Sequence, residues 1–238
     1  MSWRVGADAE VKRRAALAAL QHVEDGMVLG LGTGSTVAEF IKLLGEKVKN
    51  EGWKLCGVPS SYQSYLLAIE HGVAIVSLDA YPELDLTVDG ADEVEPATLT
   101  LVKGGGAALA REKVIGMAAR RTIIIADHTK LVSRIGEKAP IPVEVLPFAR
   151  GFVEKKLSEL GGQPQLRLAG KVKDGPVVTD NGNFILDVKF PPIEKPRELE
   201  LKIKEIPGVV EVGIFTGIAN EAYIAYPDQV KHLTPTKT

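Results

Sequence analysis

The feature that most restricts this chain is a repeated unit. A short apolar run ends in a loop rich in glycine or charge, and apolar residues at helical spacing follow. Residues 27–31 run into Gly32-Thr33-Gly34-Ser35-Thr36, after which Val37, Phe40, Ile41, Leu44 and Val48 fall on one helical face. Residues 54–58 run into Pro59-Ser60-Ser61 and a helix through about residue 70, and 73–78 read as a further strand. Residues 84–88 lead to Asp89-Gly90-Ala91-Asp92-Glu93, and 98–102 lead to Lys103-Gly104-Gly105-Gly106 and a helix over 107–121. Residues 122–126 lead to Asp127-His128-Thr129-Lys130. A helix over 8–23, broken at Asp25-Gly26, precedes them all. Short apolar strands alternating with helices predict an α/β fold: a Rossmann-like, mostly parallel sheet with helices on both faces.

The rhythm changes after residue 131. A strand over 140–145, a helix over 148–160 and strands over 164–168 and 183–190 around an Asp180-Asn181-Gly182 turn come first. A helix over 196–206 and a strand over 209–215 follow. The order βαββαβ predicts an inserted ferredoxin-like α+β domain over 132–207, with 1–131 and 208–238 forming the larger, catalytic domain. The strand over 209–215 suits either part. Residues 222–225 are expected to return to the larger sheet, and the tail from His232 onward to fray. The loops with chemical character lie outside the insert, which is therefore expected to make oligomer contacts or to cover part of the site.

Composition removes several functions. With 29 Lys+Arg against 31 Asp+Glu the chain carries a net charge of -2, so phosphate attraction cannot make it a strongly basic nucleic-acid binder. Its single cysteine, Cys56, excludes an intramolecular disulfide and a cysteine-built zinc site. The 4 histidines are not closely spaced, which speaks against a histidine metal site. No apolar run approaches the roughly 20 residues of a membrane span, and residues 1–4 lack a signal-peptide core. A cytoplasmic protein binding neither nucleic acid nor membrane is expected.

In an open parallel sheet ligands bind beyond the carboxyl ends of the strands, which is where the loops with unusual chemistry fall. Thr33, Gly34, Ser35 and Thr36 open a helix, and unpaired N–H groups there suit a phosphate; a plain turn capped by Ser35 or Thr36 is the competing reading. The loop lacks the lysine of a Walker motif and fits the dinucleotide fingerprint poorly. Asp89 and Asp92, flanking Gly90 and Ala91, suit sugar hydroxyls, proton transfer or Mg²⁺, or simply form a turn. Lys103 with Gly104, Gly105 and Gly106 can place an ammonium and N–H donors at a developing oxyanion. Glu112 has only Ala108, Leu109, Ile115 and Gly116 at helical contact spacing. A carboxylate on such an apolar stripe is either a general base or acid with a raised pKa or half of a buried ion pair. Lys130 is a candidate phosphate or substrate contact. His128 is read as a bystander, and Lys12-Arg13-Arg14 as a wet helix face.

Taken together and in this order, the four loops resemble those of type A ribose-5-phosphate isomerases. The matching stretches are residues 30–36, 89–93, 103–113 and 127–130, within a resemblance that spans nearly the whole chain. The resemblance implies interconversion of ribose 5-phosphate and ribulose 5-phosphate through an enediolate. It gives Glu112 the proton transfer, Lys103 and the glycine-loop amides the negative oxygen, and Asp89 ring opening. Asp92 with Lys103 would hold hydroxyls. No metal or organic cofactor is implied; a homodimer or homotetramer is. Sugar-phosphate deaminases, CoA transferases and sugar-phosphate sensor domains share parts of the pattern.

Overall fold

The structure, a computed structural model, describes residues 8–170 and 173–236. Helix α1 (Ala9–Leu20) starts at Asp8, whose carboxylate accepts from Val11 N at 3.0 Å. Strand β1 (Val28–Leu31), α2 (Ser35–Glu51), β2 (Cys56–Pro59), α3 (Tyr62–Glu70), the short β3 (Ala74–Ile75) and β4 (Leu86–Asp89) follow. Next come β5 (Glu93–Glu95), β6 (Thr100–Val102), α4 (Leu109–Ala118) and β7 (Thr122–Asp127). The βαββαβ set is β8 (Ile141–Val145), α5 (Arg150–Glu159), β9 (Gln163–Leu166), β10 (Phe184–Lys189), α6 (Pro196–Lys204) and β11 (Val209–Val212). Strands β12 (Ile214–Phe215), β13 (Glu221–Ala225) and β14 (Val230–Leu233) come last.

The central sheet has the order β3-β2-β1-β4-β7-β13-β14 and is parallel except for β14. Its order reverses between β1 and β4. That crevice is where an open sheet accepts ligands, and it brings the loop after β1 against the loop after β4. Leu29, Leu31, Leu86, Val88 and Ile123 of these strands join Phe40, Ile41 and Leu44 of α2 in the main core. On the other face α4 lies close over β1: a Cβ on Gly30 would meet Thr87 Oγ1 at 2.0 Å and Ile115 Cγ2 at 2.4 Å.

Several elements differ from expectation. The strand near 98–102 does not join the parallel sheet. It pairs antiparallel with β5 and β12 in a separate three-stranded sheet. Strand β5 was hidden by its acidic composition, because Glu93 is fully buried and satisfied by backbone: it accepts from Gly136 N at 2.6 Å, Lys138 N at 2.5 Å and Ala139 N at 2.7 Å. The tail is not frayed from His232: β14 pairs with β13, and His232 Nε2 lies 2.7 Å from Glu221 Oε2. Residues 237–238 lie outside the described residues.

The strand expected over 209–215 breaks at Gly213 and serves both parts. Strand β11 pairs with β8 in a four-stranded antiparallel sheet of order β11-β8-β10-β9, and β12 crosses to β6. That sheet therefore runs through Val212, so a division at residue 207 would cut β11 from it. Only glycine passes at the break: a Cβ there would fall 2.3 Å from Lys103 O and 2.7 Å from Pro142 Cδ. Lys113 of α4 fastens the same junction, with Nζ 2.6 Å from Glu200, 3.0 Å from Glu211 and 2.8 Å from Val212 O.

Candidate active site

Of the residues expected at the site, all but Asp89 line one cavity of about 390 Å³ at the β1/β4 crevice. The loop after β1 forms one wall. Gly34, at φ +111°, is the N-cap of α2, and no side chain caps it, so neither Ser35 nor Thr36 plays the capping part of the competing reading. Both lie in the first helical turn, whose N–H groups have no helical acceptors and sit at the positive end of the dipole. Thr33 Oγ1 is held 2.7 Å from both Ser60 Oγ and Ser61 Oγ, and Gly34 N donates to Gln63 Oε1 at 3.1 Å. The glycine at 32 permits contact with the next wall, since a Cβ would stand 2.1 Å from Asp89 Oδ1.

Behind the cavity lies a buried charge cluster. Lys103 Nζ is 3.0 Å from Asp89 Oδ2 and 3.1 Å from Glu112 Oε1, and it donates to Gly90 O at 2.6 Å. Asp89 Oδ1 accepts from Thr33 N at 3.1 Å and Gly90 N at 2.7 Å. Asp89 thus has both oxygens engaged behind the wall, tying the loop after β1 to Lys103. Lys103 arrives from the three-stranded sheet, with its own N donating to Gly213 O at 2.9 Å.

One ammonium faces two carboxylates here, and the excess negative charge falls on Glu112. Burial and then the Asp89 charge push its carboxyl up to about 8, against the opposing pull of Lys103. Burial by itself would lower the Lys103 pKa; Asp89 and Glu112 outweigh it and hold the pKa above its ordinary value, so the group stays charged. The raised pKa and the ion-pair contact occur together at Glu112. It is half of a buried ion pair through Oε1, while Oε2 is buried without a hydrogen-bond partner. The helical stripe of Leu109, Glu112, Ile115 and Gly116 is buried as its spacing implied. The cationic partner absent from that stripe comes from the preceding loop.

The Gly104–Gly106 turn forms the third wall. Asp92 Oδ2 accepts from Gly105 N at 2.6 Å, and a Cβ on Gly105 would stand 2.4 Å from Asp92 Oδ1. Lys130, in the 3-10 turn after β7, lines the cavity, as does Asp127, which caps that turn by accepting from Thr129 N at 2.9 Å. The His128 ring stacks on Tyr226 at 5.1 Å.

Sequence reasoning missed several residues. Lys12 lines the cavity, whereas Arg13 pairs with Glu46 and Arg14 with Glu10. The signal was present: Lys12 has Ala15, Ala16 and Ala19 at i+3, i+4 and i+7, all fully buried, so it continues the inward stripe. Ser60, Ser61 and Gln63 follow β2, in a loop the sequence reading does not place at the site. Arg167, from the four-stranded sheet, reaches the backs of Gly104 and Gly105, and only the fold reveals that contact.

Comparison with known proteins adds to this geometry. The family model for ribose 5-phosphate isomerase A (phosphoriboisomerase A) matches residues 56–229. The ribose-5-phosphate isomerase A of Methanosarcina acetivorans is 51% identical over 231 residues, covering 97% of each chain. That of Pyrococcus horikoshii is 51% identical over 225 residues, covering 94% of this chain and 97% of the relative. The solved ribose 5-phosphate isomerase A of Methanocaldococcus jannaschii superposes with a TM-score of 0.92 at 45% identity, covering 96% of this chain and 100% of that one. A D-ribose-5-phosphate isomerase in complex with phospho-erythronic acid superposes with a TM-score of 0.91 at 50% identity, covering 94% and 98%.

Proposed function

Because the chain belongs to the ribose 5-phosphate isomerase A family, we propose that it interconverts D-ribose 5-phosphate and D-ribulose 5-phosphate through an enediolate, in the non-oxidative pentose phosphate pathway. The observation that carries the chemistry is Glu112, which lines the cavity with Oε1 on the Lys103 ammonium and Oε2 left without a hydrogen-bond partner. Oε2 takes the proton from C2 of the open-chain aldose. The C–H electrons form the C1=C2 bond, and the carbonyl oxygen becomes an oxyanion. Lys103 and the Gly106 amide stabilise that charge. The O2 hydroxyl proton passes to O1, and Glu112 then returns its proton to C1 as the carbonyl forms at C2.

The remaining roles follow the cavity. The first-turn N–H groups of α2, with Lys12 and Lys130, supply the positive charge for the phosphate at one end. Asp92 holds the Gly105 amide and borders the hydroxyl positions. Asp89 assists ring opening through Lys103, because its own oxygens are engaged. Phospho-erythronic acid, bound by a relative, carries a carboxylate where an enediolate carries its negative oxygens, which fits this division of the site. The reading places the enzyme in the cytoplasm as a homo-oligomer. Support for assembly is the exposed apolar set Tyr62, Leu66, Ile69, Val114 and Met117 on α3 and α4.

The test is to mix the protein with ribose 5-phosphate and follow ketopentose formation. Steady production of ribulose 5-phosphate is expected. Ammonia release from an amino-sugar phosphate or acyl-CoA turnover in its place would move the protein to another chemistry.

A further inference from the structure

Three glycines in a row pose a mechanical problem. Gly104, Gly105 and Gly106 have no side chains to restrict their peptide planes. N–H donors aimed at a developing oxyanion are effective only when they are held before the charge appears. Ala107 N closes the turn by donating to Gly104 O at 2.9 Å, which leaves the Gly105–Gly106 peptide plane to be fixed from outside.

Arg167 is placed to do so. It follows β9 and is 3% exposed. Its Nη1 donates to Gly104 O at 2.8 Å and to Gly105 O at 3.1 Å. The other edge of the guanidinium grips Asp187 of β10, Nε donating to Oδ2 at 2.9 Å and Nη2 to Oδ1. The backbone of Arg167 is fixed as well: its N donates to Ile185 O at 2.9 Å, and its O accepts from Val177 N at 2.9 Å. A planar fork held by a bidentate carboxylate has little freedom to turn.

In a trans peptide the C=O of one residue and the N–H of the next point in opposite directions. Pinning Gly104 O turns the Gly105 N–H toward Asp92, where it donates at 2.6 Å. Pinning Gly105 O turns the Gly106 N–H away from Arg167, toward the cavity that Gly106 lines. We propose that Arg167, clamped by Asp187, is a positioning residue of the isomerase that aims the Gly106 amide at the anionic enediolate and holds the Gly105 amide on Asp92. The clamp rests on the isomerase reading and gives the antiparallel part of the fold a direct share in turnover. Lysine cannot replace it, because one ammonium cannot span both carbonyls and the carboxylate in this planar arrangement.

The experiment compares wild type, Arg167→Ala, Arg167→Lys and Asp187→Asn. It measures kcat and KM for ribose 5-phosphate per folded molecule, Tm, and the affinities of phospho-erythronic acid and ribitol 5-phosphate. The first ligand has a carboxylate at the enediolate position; the second is a polyol phosphate with no charge there. For Arg167→Ala the expected loss in kcat is roughly 10- to 100-fold, below the full loss of an oxyanion donor, with KM within about 3-fold. Phospho-erythronic acid should bind at least about 10-fold more weakly while ribitol 5-phosphate changes less than about 3-fold. Added guanidinium ion should restore part of the kcat of Arg167→Ala, and Arg167→Lys should not match wild type. A lowered Tm with unchanged kcat per folded molecule, or equal weakening of both ligands, overturns the proposal. Should Arg167→Ala fail to fold, Asp187→Asn decides: selective loss of the carboxylate ligand supports the clamp, and wild-type kcat and affinities overturn it. Wild-type protein that does not convert ribose 5-phosphate removes the isomerase reading and the clamp with it. Wild-type turnover beside full kcat in Arg167→Ala removes the clamp alone.

Discussion

Lys103 and Glu112 stand nine positions apart in the chain and 3.1 Å apart in the fold, and their contact uses only one oxygen of the carboxylate. The pair separates two duties. In the mechanism we propose, Oε1 holds the ammonium beside the reacting carbons and Oε2 serves as the base. The ammonium is in turn shared with Asp89, at 3.0 Å, so the cluster carries more potential negative charge than positive.

The pH dependence follows from that imbalance. Glu112 must be ionised to accept a proton, and burial with the Asp89 charge pushes its carboxyl up to about 8. The acid limb of kcat/KM should therefore lie well above the ordinary carboxylate range, as a property of the coupled cluster. Stability runs the other way. A carboxyl whose folded pKa is raised contributes stability that is fully present below its unfolded pKa and is lost as pH rises through the folded value. Between about pH 4.5 and 8 this group should lower Tm with rising pH. Thermal scans across that window should show the trend weakened in Glu112→Gln; identical pH trends would argue against the raised pKa.

Gly32→Ala should damage both fold and site. Its Cβ would stand 2.1 Å from Asp89 Oδ1 and 2.7 Å from the Asp89 Cα, and backbone cannot step aside cheaply. A loss of ~1–3 kcal/mol in stability is expected for such overpacking, with a fall in kcat as Asp89 and Lys103 move apart. Calorimetry and kinetics on the one variant check both; a fully active variant of wild-type Tm would contradict the packing argument.

Much of this was legible in the sequence, for identifiable reasons. Strands such as β7 are apolar on both faces because helices cover both, so their composition announces them. Glu112 was found because its helical stripe is otherwise apolar. Strand β5 escaped because a buried Glu93 satisfied by three backbone N–H groups looks like a solvent-facing acid in one dimension. Lys103 was placed at the site, but through the wrong sheet: nothing local says that β6 pairs with β12 more than a hundred residues later. The contacts of Arg167 are long-range in the same way.

Lys12→Ala should raise KM for ribose 5-phosphate several-fold and leave kcat nearly unchanged, since Lys12 lines the cavity but is no member of the Lys103–Asp89–Glu112 cluster. Unphosphorylated ribose should be a poor substrate, because remote binding energy supports orientation at the reacting carbons. Steady-state kinetics on both substrates checks this. An unchanged KM in the variant would remove Lys12 from the phosphate end, and equal kcat/KM for the two sugars would remove the phosphate end itself.

Turnover should survive exhaustive chelation. The position between Asp89 and Glu112 that a divalent cation would take is filled by the Lys103 ammonium. Activity lost with chelator and regained with Mg²⁺ or Mn²⁺ would make these carboxylates metal ligands.

Glu112 Oε2 is the group proposed to carry the proton between C2 and C1, and Glu112→Gln tests that role most directly. The amide keeps the size of the side chain and can still accept from Lys103 through its oxygen, but the basic oxygen is gone. The measurement is kcat per folded molecule, with solvent deuterium incorporation at the exchanging carbon followed in parallel. A loss of at least ~10²–10⁴-fold in kcat is expected, the usual worth of a general base. Deuterium incorporation should fall in step, while KM changes little. A well-folded variant that retains most of its turnover and still exchanges deuterium would contradict the mechanism and place the base elsewhere in the cluster.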